Sequence, residues 1–218
     1  MNARANILAR IRRAHGKPGG EPAPADLERV RSVIAKPVTG PQPAFAHPPD
    51  LLVQFLKECE RLGATHAQVA TESDIPSEVA RYLAAAGLSP NVVAWPEFAS
   101  LAWARAGVSF EARPANGDDA TGLTGCFCAI AETGTTLLLS SPAHPKVNAL
   151  LPETHLCVVR KSRLLGSMEE AFALVRRECG ELPRSTFFVS GPSRTADIEQ
   201  TMVIGAHGPY RVHVIIAP

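Results

Sequence analysis

The stretch F-F-V-S-G-P-S-R-T-A-D-I-E-Q, Phe187 to Gln200, joins a short apolar run to a glycine-containing loop and then to a helix-start pattern. Phe187–Val189 reads as a strand, because a short apolar run bounded by turn residues fits a sheet covered on both faces. Ser193 or Thr195 is a good N-cap, since its hydroxyl can accept from the free amides of a first helical turn. Asp197 and Glu199 complement the helix dipole there, and the pattern predicts a helix over Thr195–Val203. Strand, glycine loop and helix in this order form the repeating unit of an α/β fold. The loop keeps two readings. It is an anion site, with Arg194 as a fork for carboxylate or phosphate. Or it is a capped structural helix, whose two acids would repel an anion.

The same rhythm extends outward on both sides. Asp50 can cap a helix in which Leu51, Leu52, Phe55, Leu56, Cys59 and Leu62 follow the 3.6 period, and Gly63 suits the position after it. Strands are expected at Ala67–Thr71, Val92–Trp95 and, more weakly, Val108–Ala112, with a helix at Pro76–Ala86 and a loop at Asn116–Asp119. Cys126–Ala131 and Thr136–Leu139 are apolar runs separated by E-T-G-T, and Leu156–Val159 is a further strand. Ser167-Met168-Glu169-Glu170 fits a capping box ahead of a helix through Phe172, Leu174, Val175 and Cys179. Val212–Ile216 closes the chain as a strand. These elements predict an α/β fold with a mostly parallel sheet and helices on both faces.

The first fifty residues differ. Asn2–Ala14 reads as a short amphipathic helix with Ile7, Leu8 and Ile11 on one stripe. Residues 18 to 49 hold eight of the nineteen prolines, which excludes a long helix or central strand and leaves an arm with one short helix near Leu27–Ile34. The expected division is an arm, residues 1–49, and an α/β domain, residues 50–218.

Composition narrows the function classes. Hydrophobic residues make up 45% and charged residues 20% of the 218, and the formal net charge is +1, so no bulk field recruits nucleic acid or an anionic membrane. No apolar run reaches the ~20 residues of a membrane span, and the Arg-rich start lacks the apolar core of a secretory signal, so a cytoplasmic protein is expected. The five cysteines form no C-x-x-C pair, so neither a cluster nor a structural zinc is expected in this chain. Cys126 and Cys128, two apart in a strand, would share one face as small hydrophobes.

Two loops carry the candidate chemistry, because ligands of open α/β sheets sit beyond the carboxyl ends of strands. One is Glu132-Thr133-Gly134-Thr135-Thr136, where Glu132 is a candidate base or nucleophile, or a solvated turn residue. The other is Gly191-Pro192-Ser193-Arg194-Thr195. His207, between glycines in G-A-H-G-P, is the second catalytic candidate; its plain alternative is a turn residue. None of His144, His155, His207 and His213 shows metal-ligand spacing, and no metal is expected. His213 reads as a strand residue and His144 as loop surface. The run Arg160-Lys161-Ser162-Arg163 reads as a solvated edge.

In order, I-A-E-T-G-T (Ile130–Thr135), L-L-P-E-T-H (Leu150–His155), S-G-P-S-R-T-A-D-I-E (Ser190–Glu199), G-A-H-G-P (Gly205–Pro209) and V-H-V-I-I resemble the LUD-domain family, lactate utilization protein C type. The resemblance spans about Gly122 to Pro218 and is loose before that. It implies a fold similar to the NagB/RpiA/CoA-transferase group and to formyltetrahydrofolate cyclo-ligase. It also implies a part in oxidising L-lactate to pyruvate, beside partner proteins that carry iron–sulfur clusters. This chain, with no cluster ligands and no cofactor of its own, would be a non-redox subunit that binds a small carboxylate, its arm a docking element. An acyl- or CoA-transferase-like enzyme with Glu132 as nucleophile, and a non-catalytic assembly protein, are the alternatives.

Overall fold

A computed structural model describes residues 2–16, 22–36, 40–41, 48–197 and 199–218. The chain divides into two compact units, Met1–Ala44 and Phe45–Pro218. The first holds two helices, α1 (Ala3–Ala14) and α2 (Pro24–Ala35), and neither buries a residue. The Asn2 side chain caps α1 by accepting from the Arg4 amide at 3.1 Å. Much of the proline-rich arm, Pro18, Pro37 and Pro43 included, falls outside the described residues.

The second unit begins with α3 (Leu51–Arg61), capped by Asp50, whose carboxylate accepts from the Leu52 and Val53 amides at 2.8 and 3.1 Å. Its main sheet is wholly parallel. It runs β1 (Thr65–Gln68), β12 (Arg211–Ala217), β7 (Thr154–Arg160), β4 (Thr121–Thr124), β2 (Asn91–Ala94), β3 (Ser109–Ala112) in spatial order. β7 and β12 are its two longest interior strands, and their continuous apolar runs follow from burial on both faces.

Parity along these strands assigns the faces. Leu156 and His213 are in register and look toward α4 (Ile75–Ala85), where the His213 ring stacks on Tyr82 at 4.1 Å. Residues of the opposite parity, His155 and Cys157, look toward α3 and a second sheet. That sheet has four strands in the order β8 (Leu164–Leu165), β5 (Cys128–Ile130), β6 (Thr135–Leu139), β9 (Thr186–Val189), with α5 (Met168–Cys179) packed on it. The β5–β6 hairpin leaves the main sheet after β4, and β8 to β9 leave it after β7. Ser167 caps α5 as expected, its hydroxyl accepting from the Glu170 amide; the Glu170 carboxylate reaches the Gly166 amide at 2.8 Å and not that of Ser167. Among the described residues no helix is long and apolar enough to cross a membrane.

Three expectations need correction. No helix covers Thr195–Val203: β10 (Arg194–Thr195) pairs antiparallel with β11 (Val203–Ile204), and Glu199 and Gln200 have left-handed φ of 52° and 56°; Ile198 lies outside the described residues. The Thr195 hydroxyl donates to Asp197 Oδ2 at 2.5 Å and accepts from the Asp197 amide at 3.3 Å. Thr and Asp at a helix start make such local turns equally well, and exposed Met202, Val203 and Ile204 offer no buried face to favour a helix.

Cys126 and Cys128 do not share a face. Phe127 donates its amide to the Leu137 carbonyl at 2.7 Å while Cys128 is in register with the same Leu137, so two residues oppose one, as in a β-bulge. The bulge turns Cys126 into the main core and leaves Cys128 in the core under α5. Finally, β4 is absent from the sequence reading: T-G-L-T carries little strand signal, although all four residues are buried. Gly122 is needed there because any Cβ would collide with the Asn148 carbonyl.

Candidate functional site

The two glycine loops meet. The β5, β6 and β9 strands run up, down and up, so the E-T-G-T turn and the start of S-G-P-S-R-T stand at one end of the four-stranded sheet. Thr135 Oγ1 lies 2.7 Å from Ser190 Oγ and 2.8 Å from Thr133 Oγ1, a chain of three hydroxyls linking the loops. Thr136 is buried in β6. Both loops press on the C-terminal half of α3. A Cβ on Gly134 would sit 2.8 Å from the Glu58 and Cys59 backbone, and one on Gly191 would sit 2.9 Å from the Leu62 carbonyl.

Arg194 belongs to the same junction. Its guanidinium donates to the Leu62 carbonyl at 2.5 Å, at the end of α3, where the unpaired carbonyls carry partial negative charge. A cation here complements a helix C-terminus. Glu132 is half-buried; its amide donates to the Gly166 carbonyl at 3.0 Å, and its carboxylate has no partner among the described residues.

His207 lies elsewhere, with Pro192 and Ser193 connecting the two places. Ser193 donates its amide to the Pro209 carbonyl and accepts from the Gly205 amide, both at 2.9 Å, which fastens G-A-H-G-P against this loop. His207 Nε2 is 3.6 Å from Asp197, both well exposed. It lines a cleft of about 620 Å³ together with Gly205, Gly208, Tyr210, Arg211 and Glu153. Arg211 is the cation of this cleft. It lies 5.0 Å over the Tyr210 ring, and its ion pair with Glu153 is long, at 3.9 Å. Neither Arg194 nor the E-T-G-T residues line it.

The Arg160–Arg163 run is a solvated edge only in part: Lys161 and Ser162 are exposed, but both arginines are engaged. Arg160 pairs with Glu72 at 2.6 Å and Glu97 at 3.3 Å, and Arg163 makes a two-pronged pair with Glu178 at 2.9 and 2.7 Å. Both guanidinium groups are about one-third exposed. No local pattern reports this, since the partners lie up to 88 residues away.

Three of the five thiols are held protonated, whereas the buried Cys157 thiol is drawn below its ordinary value by its hydrogen bond with Cys126. Burial pushes those of Cys59 and Cys128 up to about 12, and a hydrogen bond to Cys157 with burial raises that of Cys126 well above its ordinary value. Among the described residues no three His, Cys, Asp or Glu side chains converge as a metal site would require.

The family model for the LUD domain matches residues 97–217, more than half of the chain. An uncharacterized protein of Neisseria meningitidis serogroup B is 41% identical over 96 residues, 44% of this chain and 41% of that protein. Lactate utilization protein C of Shouchella clausii is 38% identical over 97 residues, 44% of this chain and 42% of the relative. The chain thus spans less than half the length of these two relatives. A protein of the same name from Anoxybacillus flavithermus is 25% identical over 217 residues, 88% of this chain and 97% of its own. The crystal structure of a DUF162 family protein from Deinococcus radiodurans shares the fold, with a TM-score of 0.59, 24% identity, and coverage of 77% of this chain and 96% of that one. On the extent of the domain match, this chain belongs to the LUD domain family.

Proposed function

We propose that this protein is a non-redox subunit of a lactate utilization system that holds a small carboxylate in the cleft beside His207. The observation that carries the reading is Arg211, a guanidinium at a cleft of about 620 Å³ with only a long ion pair to neutralise it. A carboxylate can take up its fork, and the imidazole of His207 adds a second donor. Arg194, engaged with the end of α3, and the E-T-G-T and G-P-S-R-T loops then form the frame that fixes the G-A-H-G-P segment. The names of the relatives support lactate or pyruvate as the carboxylate. Electron transfer falls to partner proteins carrying iron–sulfur clusters, with residues 1–49 as the docking element.

Lactate or pyruvate is expected to raise the melting temperature, since a ligand that binds only the folded state stabilises it. Arg211→Ala should abolish the shift. Arg194→Ala should lower stability by about 1 kcal/mol, the usual size of a helix-end interaction, yet keep the shift. Loss of the shift in Arg194→Ala alone would move the clamp to that residue, and no shift with either acid would leave an assembly role.

Glu132 supports a second reading, because its half-buried carboxylate has no described partner and it opens the E-T-G-T turn whose Thr133 and Thr135 hydroxyls link to Ser190. As a nucleophile it would attack an acyl-CoA carbonyl, giving a mixed anhydride and releasing the CoA thiol. Hydroxylamine trapping with acyl-CoA should then label the wild type and spare Glu132→Gln; an unlabelled wild type rejects this reading.

A further inference from the structure

We propose that the protein carries a second ligand site, for a small organic monocarboxylate with a flat apolar body, in the cavity at the carboxyl edge of its parallel sheet. The site shares no residue with the His207 cleft and does not rest on that reading.

Position is the first argument. A cavity of about 290 Å³ opens where the chain leaves β2 at Trp95, β4 at Cys126 and β7 at Arg160. The segments after β4 and β7 depart into the four-stranded sheet, whereas the segment after β2 turns back at Pro96–Phe98 toward β3. Diverging exits at the carboxyl ends of neighbouring parallel strands leave the crevice in which open α/β sheets hold ligands.

The donors on its walls are the second. Arg160 gives its Nε to Glu72 and one terminal nitrogen to Glu97, and its other terminal nitrogen has no acceptor among the described residues. The Ser162 hydroxyl likewise has no described partner. His144 is held through Nδ1 by Ser141 Oγ at 3.0 Å, which leaves Nε2 available. Three residues that line a single cavity therefore each keep a donor with unused hydrogen-bonding capacity, one guanidinium nitrogen, one hydroxyl and one imidazole nitrogen, a set that suits one carboxylate.

The remaining wall restricts what the carboxylate may carry. The Trp95 indole N–H is already bonded to the Pro145 carbonyl at 3.0 Å, so Trp95 offers apolar surface and no donor. Phe127, with the Arg163 guanidinium 4.7 Å over its ring, adds a second aromatic surface. Glu97 fixes the charge. Its Oε1 lies against Gly125, where any added Cβ would be 2.5 Å away, and its Oε2 accepts from Arg160 at 3.3 Å, so its charge stands in the cavity wall. With Glu72 and Glu97 both on the one Arg160 guanidinium, the cavity takes at most a monoanion, held by hydrogen bonds more than by net charge, and repels a phosphate dianion. At about 30 Å³ per water-sized group the cavity holds roughly ten such groups, enough for a ring with a carboxylate and too little for a nucleotide.

Benzoate is the probe, with benzamide as its neutral isostere, read by calorimetry and by the fluorescence of Trp95. Benzoate should bind saturably and perturb the emission, and benzamide should not. Arg160→Met should weaken benzoate roughly ten- to a hundredfold, the loss of a charge-assisted hydrogen bond. Ser162→Ala should weaken it several-fold; that hydroxyl holds nothing else among the described residues, so this variant decides the matter if Arg160→Met does not fold. Equal binding of benzamide, full affinity in Ser162→Ala, or no saturable benzoate signal would each overturn the site. None of these outcomes touches the lactate or pyruvate shift assigned to Arg211.

Discussion

Acidification from pH 7 toward pH 4 is expected to unfold this protein cooperatively, with the uptake of close to two protons by histidine. His155 and His213 are 0% and 1% exposed, and burial holds both imidazoles down to about 4, against an ordinary value of 6.5. His155 bonds Thr124 Oγ1 through Nε2 at 2.8 Å and has no partner at Nδ1, so protonation would bury an unsatisfied charged donor. His213 sits between Thr65 Oγ1 at 2.8 Å and Glu78 Oε1 at 3.2 Å. The neutral ring satisfies both by accepting from the Thr65 hydroxyl and donating to Glu78, whose carboxylate Arg81 also holds at 2.5 Å. Glu78 opposes the depression of the His213 pKa, and burial outweighs it.

Above pH 6.5 both imidazoles are neutral in the folded and unfolded chain, and their contribution is fully present. Between 6.5 and 4 the unfolded chain binds protons that the folded one refuses, so stability falls with pH. Each histidine then removes about 3 kcal/mol, and together they consume much of the roughly 5–15 kcal/mol of a typical domain. Unfolding followed by calorimetry or denaturant at stepped pH should show this slope, and His213→Gln should reduce it by about half. A stability independent of pH between 6.5 and 4 would show that these rings are protonated at no cost.

Gly134→Val should destabilise the fold by at least about 3 kcal/mol or prevent folding. Gly134 has φ +62°, and an added Cβ would meet the Glu58 carbonyl carbon and the Cys59 amide nitrogen at 2.8 Å. Those atoms are helix backbone, which cannot yield as a flexible side chain can, and a β-branched residue is strained at positive φ in any case. Gly107→Val is the internal control. It shares a left-handed φ of +73° but has nothing within 4 Å of its Cβ, so backbone strain alone applies and about 1–2 kcal/mol is expected. Comparable losses in the two variants would mean that the contact with α3 is loose. A large difference would establish that E-T-G-T is a packing junction whose glycine is set by α3.

Much of this architecture is legible residue by residue. Asp50 and Ser167 mark helix starts because capping is settled within three residues, and both side chains do accept from the amides of the first turn. The β7 and β12 strands are visible because burial on both faces leaves an unbroken apolar run. Their motifs, taken in order, also point to the family. The Thr195–Val203 pattern misleads because Thr, Asp and Glu favour helix starts and tight turns through the same hydrogen bonds, and no tertiary partner rewards the helix. T-G-L-T at β4 hides because its burial comes from neighbours on either side and not from its own composition.

The sequence alone therefore determined the class of fold, the caps and central strands, and the family, since these depend on interactions a few residues long or on ordered motifs. Only the tertiary structure decided what the side chains face. Arg194 meets a carbonyl 132 residues away, His213 a carboxylate 135 residues away, and a one-residue bulge separates Cys126 from Cys128. Such contacts are fixed by packing between distant segments, which leaves no periodic trace in either segment.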